Sequence, residues 1–405
     1  MRKAMAPLLV TILAVFSAQQ LLTPVLAPLA RELALTETQL GLVITISAAT
    51  LTVASPMWGR AMRRMRLRTV LLSGLGLAGI GLIGFAVAVT LGLEEVLPPP
   101  VTFALMIATR SILFGLGLAA LPVAALTVAG LVTAGEADRT RVTGLVGAAQ
   151  GLSLVVGPAG GGLLAMASLL LPLYVSPAIC LLLGVWVLVA VRHEPAGAPQ
   201  GVEGPRPRLW HARLWPLFAM GFCVFLSLGL VQVILGFLIA DRLHVDPQAT
   251  AGGVGLALAV AGIVIVGVQG ALVPALGWRA LRLIRVGAPI AVAAFGLLAV
   301  AHDLWLITAA FGLLGVGLGL AMPGVAAAPG LLVGPEGQSS ISGLVNAVIG
   351  STFVVGPLLS TALYELAPVA PVIAALAAAT TAVALAWLSP AARHAKAAAE
   401  AVAAP

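Results

Sequence analysis

Charge is what this sequence has least of. Only 9% of its 405 residues are Asp, Glu, Lys or Arg, and 61% are apolar. Soluble domains carry about 25% charged residues, so a soluble globular class is excluded and an integral membrane protein is indicated. Cysteine is nearly absent. Cys180 and Cys223 both lie inside apolar stretches, which excludes a disulfide framework and reads as two small buried side chains. The chain also lacks a phosphate loop of the GxxxxGK[ST] form, a cluster with metal-ligand spacing and a placed nucleophile–base pair. Enzyme chemistry is therefore excluded, and neither cofactor nor metal is expected. With no ATPase segment in the chain, any driving force has to come from gradients or from a separate protein.

What is present is a succession of apolar segments. A helix needs about 20 apolar residues to cross the hydrocarbon core. Twelve stretches qualify, at roughly 8–30, 39–59, 69–92, 101–126, 142–168, 172–191, 214–240, 250–273, 284–301, 304–328, 340–364 and 370–389. The basic N-terminus and first apolar run imitate a leader. The run continues through Pro24 and Pro28 to Ala30 without a small-x-small cleavage site, so it reads as the first span. His193 to Arg213, rich in Pro and Gly, reads as a linker. The expected organisation is an all-α membrane protein with a six-helix bundle over 1–192, a linker over 193–213, a second bundle over 214–390 and a tail over 391–405.

The net charge of +7 is not a nucleic-acid signal, because topology accounts for it. Eighteen of the 21 basic residues fall on one side of the predicted spans. Arg31 and Arg242 fall on the other, and Arg110 lies inside a span. This bias predicts that both termini and the linker are cytoplasmic.

Two segments repeat. Arg139–Pro158 and Gln338–Pro357 align at an offset of 199 without gaps, with nine of twenty positions identical, including Gly157-Pro158 and Gly356-Pro357. Arg31-Glu32-Leu33 corresponds to Asp241-Arg242-Leu243, and the glycine run from Gly115 to Pro122 is echoed from Gly315 to Pro323. Several blocks in one order indicate two fused, parallel halves, an arrangement that builds transporters with a central site between the halves.

Acids are missing where a transporter most often needs them. None of the fourteen falls mid-span, and the five histidines lie in loops or at span ends. Glu32, Asp241 and Glu365, at outer span ends, are the candidates for proton coupling; the alternative is a facilitator or an exchanger driven by its substrate. Arg110 stands about nine residues in from the outer end of the fourth span, roughly 13 Å deep, where a charge is costly and needs a cavity or a partner. It is read either as a functional group or as a structural arginine bonded to backbone carbonyls. The polar residues Gln19, Gln20, Gln150, Gln232, Gln269 and Asn346 also lie within spans. Each alone serves equally as interhelical glue. Together with Arg110, the set Gln19, Gln20, Gln150, Gln232 and Asn346 marks the candidate binding site. Without a central acid, the site favours neutral or anionic amphipaths over permanent cations.

Gly157-Pro-Ala-Gly-Gly-Gly162 ends the core of the fifth span and makes a thin, bendable helix surface. It fits the GPxxGG signature of the major facilitator superfamily, and the chain resembles that family over nearly its whole length, in particular the twelve-helix drug:proton antiporters. Gly59 to Arg68 sits at the family's loop after the second helix, and Gly270 to Arg279 at the matching loop of the second half. Arg63 and Pro274 replace the acid expected in each, so the usual charged cytoplasmic latch is expected to be missing, with Glu136 and Asp138 beside Arg139 as a substitute pair. The fourth-helix RxxxGxG motif is met imperfectly, since Arg110 precedes Gly115 by five residues.

The resemblance implies two six-helix bundles rocking about a site lined by helices one, four, seven and ten. It implies one chain as the working unit, in a bacterial inner membrane. It further implies export of a small amphipathic drug or metabolite by proton antiport, with Gly59, Arg63, Gly157, Pro158, Gly161, Gly162, Gly270, Gly277, Gly356 and Pro357 as conformational positions. Uptake or facilitated exchange is the alternative within transport, and a non-transporting scaffold or sensor is the alternative outside it.

Overall fold

The computed structural model describes residues 2–62, 64–132, 136–190, 214–332 and 338–388. Among them there is no strand. Twelve helices are long and apolar enough to span a membrane. In chain order, spans 1 to 12 are Pro7–Glu32, Glu37–Met62, Leu67–Leu93, Pro99–Ala125, Ala149–Ala167, Leu171–Ala190, Trp215–Leu243, Pro247–Leu276, Ala280–Val300, Leu304–Gly330, Leu344–Leu366 and Ala370–Leu388. All twelve predicted spans are present. The expected linker, the tail, Arg63 and the side chains of Glu136, Asp138 and Arg139 lie outside the described residues.

Span 8 runs past its predicted end. Gly270 to Arg279 was expected to be a loop, yet the helix runs on to Leu276 through a π-turn at Val268–Leu272. It stops at Gly277, whose φ of +57° is a left-handed conformation that glycine adopts without strain. Span 2 likewise continues to Met62, which shortens the loop after Gly59. Apolar side chains up to Val273 and Leu276 pack into a cluster with Val268, Leu283 and Leu320, and this burial carries the helix beyond the predicted end.

The outer turn after the first helix of each half repeats at an offset of 210, the separation between Arg31 and Asp241. Span 1 ends in Ala34 at φ +54° and span 7 in His244 at φ +53°. The next helices are capped at equivalent places. The Thr36 Oγ1 and Gln39 Oε1 atoms each accept from the other residue's backbone N–H, at 3.2 and 2.9 Å. Asp246 Oδ1 accepts from the Ala249 N–H at 2.7 Å. Asp303 caps span 10 in the same way, accepting from Leu306 N–H at 2.8 Å. Thus Asp246 and Asp303 satisfy helix N-termini that would otherwise expose bare donors.

The chain divides into two compact units, Met1–Gln200 with Ile239–Ala259, and Gly201–Leu238 with Val260–Pro405. In the first, glycine sets how closely helices approach. A Cβ on Gly117 would lie 2.4 Å from the Ala78 nitrogen and the Gly74 carbonyl oxygen of span 3, and one on Gly115 would lie 3.2 Å from the Ser47 carbonyl oxygen of span 2. In the second unit the same pair of glycines does the same work. Gly317 faces Ala291 N at 2.6 Å on span 9, and Gly315 faces the Ala261 carbonyl oxygen at 2.7 Å on span 8. Each unit is also tied at its inner edge by an arginine. Arg68 Nη2 donates to the Leu188 carbonyl at 2.9 Å, and Arg285 Nε to the Ala386 carbonyl at 3.0 Å. These bonds satisfy carbonyls at the C-terminal ends of spans 6 and 12, where cations are favoured.

The repeat is least symmetrical at the GPAGGG segment. A Cβ on Gly157 would fall 2.2 Å from the Gln20 Cβ, and one on Gly161 only 2.1 Å from the Leu21 carbonyl oxygen. Gly162 would meet the Gly255 Cα of span 8 at 2.8 Å. In the second unit Gly356 has nothing nearer than 3.7 Å. Ser360, which aligns with Gly161, donates its hydroxyl to the Leu230 carbonyl. A hydrogen-bonded serine therefore holds spans 7 and 11 where bare glycine brings spans 1 and 5 together. Gly161→Ala is expected to force backbone apart at a cost of about 1–3 kcal/mol. Gly356→Ala is expected to leave the melting temperature of the purified protein unchanged, and thermal unfolding of the two variants in one detergent checks both.

Candidate functional site

Span 4 changes its helical register in mid-membrane. Residues Pro99–Met106 are α-helical, Ile107–Leu113 form a π-helix, and α-geometry resumes at Phe114. A π-turn closes i to i+5, one residue more than an α-turn, and such turns recur at functional sites. The five-residue spacing from Arg110 to Gly115 is thereby brought back into phase, because the extra residue falls within the π-turn. Neighbours hold the segment in place. Ser111 Oγ donates to the Val43 carbonyl of span 2 at 2.6 Å, and Gly81 of span 3 leaves room for the Thr109 carbonyl oxygen and the Phe114 nitrogen.

Arg110 sits at the centre of this turn and is 6% exposed. Its Nη1 donates to Ser47 Oγ at 3.2 Å, and the guanidinium lies 4.9 Å from the centre of the Phe114 ring. Nε is buried without a partner. Among the described residues no backbone carbonyl and no carboxylate bonds to the side chain. One neutral hydroxyl and one ring face are little compensation for a cation with five N–H donors.

The other predicted site residues are distributed along both units. Gln20 stands half-buried at the contact of spans 1 and 5, opposite Gly157, and Gln19 is half-buried beside it. Gln150 is half-buried about two helical turns before that contact, and its backbone carbonyl accepts from Ser153 Oγ at 2.6 Å. In the second unit Gln232 is half-buried on span 7, while Asn346 on span 11 and Gln269 in the span 8 π-turn are exposed. Gln20 lies at the contact of spans 1 and 5, whereas the hydrogen bond of Arg110 runs to span 2. Neither Ser47 nor Phe114 is marked by the sequence as a partner of Arg110; a serine two residues from the polar Thr45 is not distinctive.

The three end acids differ in their surroundings. Asp241 accepts from both Nη atoms of Arg31, at 2.5 and 2.9 Å, and Glu37 approaches Arg31 at 3.5 Å. Glu32 and Glu365 are exposed. The Arg31–Asp241 pair joins repeat-equivalent positions, with a planar fork meeting a carboxylate edge on. Both side chains are 36% exposed, so water and salt weaken the pair. A double-mutant cycle of Arg31→Ala and Asp241→Ala is expected to show a coupling of about 0.5–1 kcal/mol in thermal unfolding, shrinking in 1 M salt.

Comparison with known proteins places this architecture. The model of the Major Facilitator Superfamily matches residues 8–298. A bacterial homologue of the human lysosomal transporter Spinster, in an inward-facing and occupied conformation, is 13% identical with a TM-score of 0.68, over 98% of this chain and 96% of that one. The nucleoside transporter NupG is 13% identical with a TM-score of 0.69, over 95% of this chain and 98% of that one. A bacterial homologue of the iron transporter ferroportin, in an inward-facing state, is 16% identical with a TM-score of 0.67, over 96% and 99%. No curated protein matches the chain. Twelve spans in two repeated halves, the glycine seams and the family match lead to one conclusion: the chain belongs to the Major Facilitator Superfamily and is a multi-pass membrane transporter, not an enzyme.

Proposed function

We propose that this transporter exports a small amphipathic molecule, a drug or a metabolite, by proton antiport. The observation that carries the reading is the GPAGGG seam. The segment that matches the antiporter signature is where span 5 meets span 1 through Gly157 and Gly161 and span 8 through Gly162. Side chains that would lock these helices apart are missing there. A proline at position 158 removes a backbone donor within the same helix, so the seam combines close contact with a place to bend. Helix surfaces of this kind suit two bundles that exchange between two packed arrangements around a midplane site.

In this reading Gln19, Gln20, Gln150, Gln232, Asn346 and Arg110 bind the substrate. Gly59, Arg63, Gly270, Gly277, Gly356 and Pro357 accompany the GPAGGG segment as positions where the helices shift. The Arg31–Asp241 pair closes the outer ends of spans 1 and 7 and parts when they separate. A proton then competes with Arg31 for Asp241, or is carried by Glu32 or Glu365. In this reading the chain works alone in a bacterial inner membrane, and the charge bias supports cytoplasmic termini. The absence of any mid-span acid favours a second reading, substrate-driven exchange in place of proton antiport.

Accumulation of fluorescent amphipaths in an efflux-deficient bacterium decides between them. Export by antiport is expected to lower accumulation several-fold, with a protonophore restoring it. Asp241→Asn, Glu32→Gln or Glu365→Gln is expected to abolish the protonophore-sensitive part. Export that a protonophore leaves unchanged, but that a substrate gradient drives, would replace antiport by exchange. Uptake would reverse the direction.

A further inference from the structure

We infer that Arg110 is the seat of a negatively charged group, so that the molecule bound by this transporter is an amphipathic anion carrying a carboxylate or sulfonate. The inference rests on the transport reading and narrows it from neutral or anionic molecules to anions. An arginine within a span has three routes to neutrality: a carboxylate, a set of backbone carbonyls, or a ligand. The first is closed by sequence, since no acid lies mid-span. The second is closed by the structure, since the side chain's hydrogen bonding among the described residues stops at Ser47 Oγ. The third remains.

The geometry suits it. Nη1 is committed to Ser47, which fixes the plane of the guanidinium. Nε, in a residue that is only 6% exposed, has no partner. Nε and Nη2 form one edge of the fork, the edge that takes a carboxylate or sulfonate through two parallel bonds. The π-turn at Ile107–Leu113 is what points this residue away from the helix phase an α-turn would impose.

At the repeat-equivalent place in span 10, about 200 residues on, stands the buried Ala310. One guanidinium suits a single anionic head and not a doubly charged ligand. A permanently cationic drug meets a buried like charge here, and a neutral molecule leaves the Nε edge unsatisfied.

The test uses the whole purified protein in detergent and follows thermal unfolding of the native chain and of Arg110→Gln. Without ligand, Arg110→Gln is expected to melt no lower than the native protein, because an uncompensated buried charge is removed. A melting temperature lowered by several degrees would mean that the arginine is held by the fold itself, and would overturn the proposal. The probes are amphipathic aryl carboxylates and sulfonates, beginning with 1-naphthylacetate, each paired with its neutral methyl ester and a matched trimethylammonium cation. The acids are expected to raise the melting point of the native chain in a concentration-dependent way and to leave Arg110→Gln unmoved. Esters or cations that stabilise as well as the acids, acids that stabilise the variant equally, or no stabilisation by any acid of the series would each overturn it. The same acids loaded into proteoliposomes separate this proposal from the transport reading. Binding through Arg110 without flux would keep the anion seat and reject export, whereas export of cations at native rates by Arg110→Gln would keep export and reject the seat.

Discussion

The distance between helices governs this protein. In a bilayer, apolar surface gains nothing by leaving lipid for another helix, so association rests on close packing, interhelical hydrogen bonds and lipid entropy. Glycine serves the first of these by letting backbone touch backbone. Gly161 against the Leu21 carbonyl and Gly162 against Gly255 place three spans in backbone contact within two residues of sequence. Once those contacts exist, the neighbouring side chains have little freedom of placement. Gln20 is held at the seam because Gly157 yields the space its Cβ occupies.

The halves keep the same scaffold and differ where work is done. The outer turns, the Gly115/Gly315 and Gly117/Gly317 contacts and the inner arginine ties recur in both. Serine replaces glycine at position 360, a relaxed contact replaces a tight one at Gly356, and a buried alanine stands where Arg110 would have its counterpart. A symmetrical scaffold lets two arrangements have similar energies. In the proposed transport cycle, asymmetry at the seam and at the charge is where a bound molecule would bias one arrangement over the other.

Charge is sparse, and each placement has a distinct consequence. Acids at Asp246 and Asp303 cap helices, Asp241 meets Arg31 at the ends of spans 7 and 1, and among the described residues Arg110 is a buried cation without a carboxylate partner. Bringing a lone guanidinium into a low-dielectric interior costs several kcal/mol after relaxation. Among the described residues the Arg110 side chain meets Ser47 and Phe114.

Much of this was legible in the sequence. Hydropathy alone determined twelve spans, because a bilayer accepts only segments that satisfy their own backbone. The family signature and the repeat followed from short glycine and proline patterns. Arg110 stood out because an arginine inside a span violates composition so sharply, and the membrane class followed from the scarcity of charge. What only the tertiary structure decided depends on register and on distant partners. The spacing of Arg110 from Gly115 looked out of phase until a π-turn absorbed the extra residue, and no residue type announces such a turn. Val273 and Leu276 extended span 8 through packing against span 9 and span 10, which no window of hydropathy can contain. Ser47 became the anchor of Arg110, and Asp241 the partner of Arg31 across 210 residues, because helix packing brought together groups that the chain itself keeps far apart.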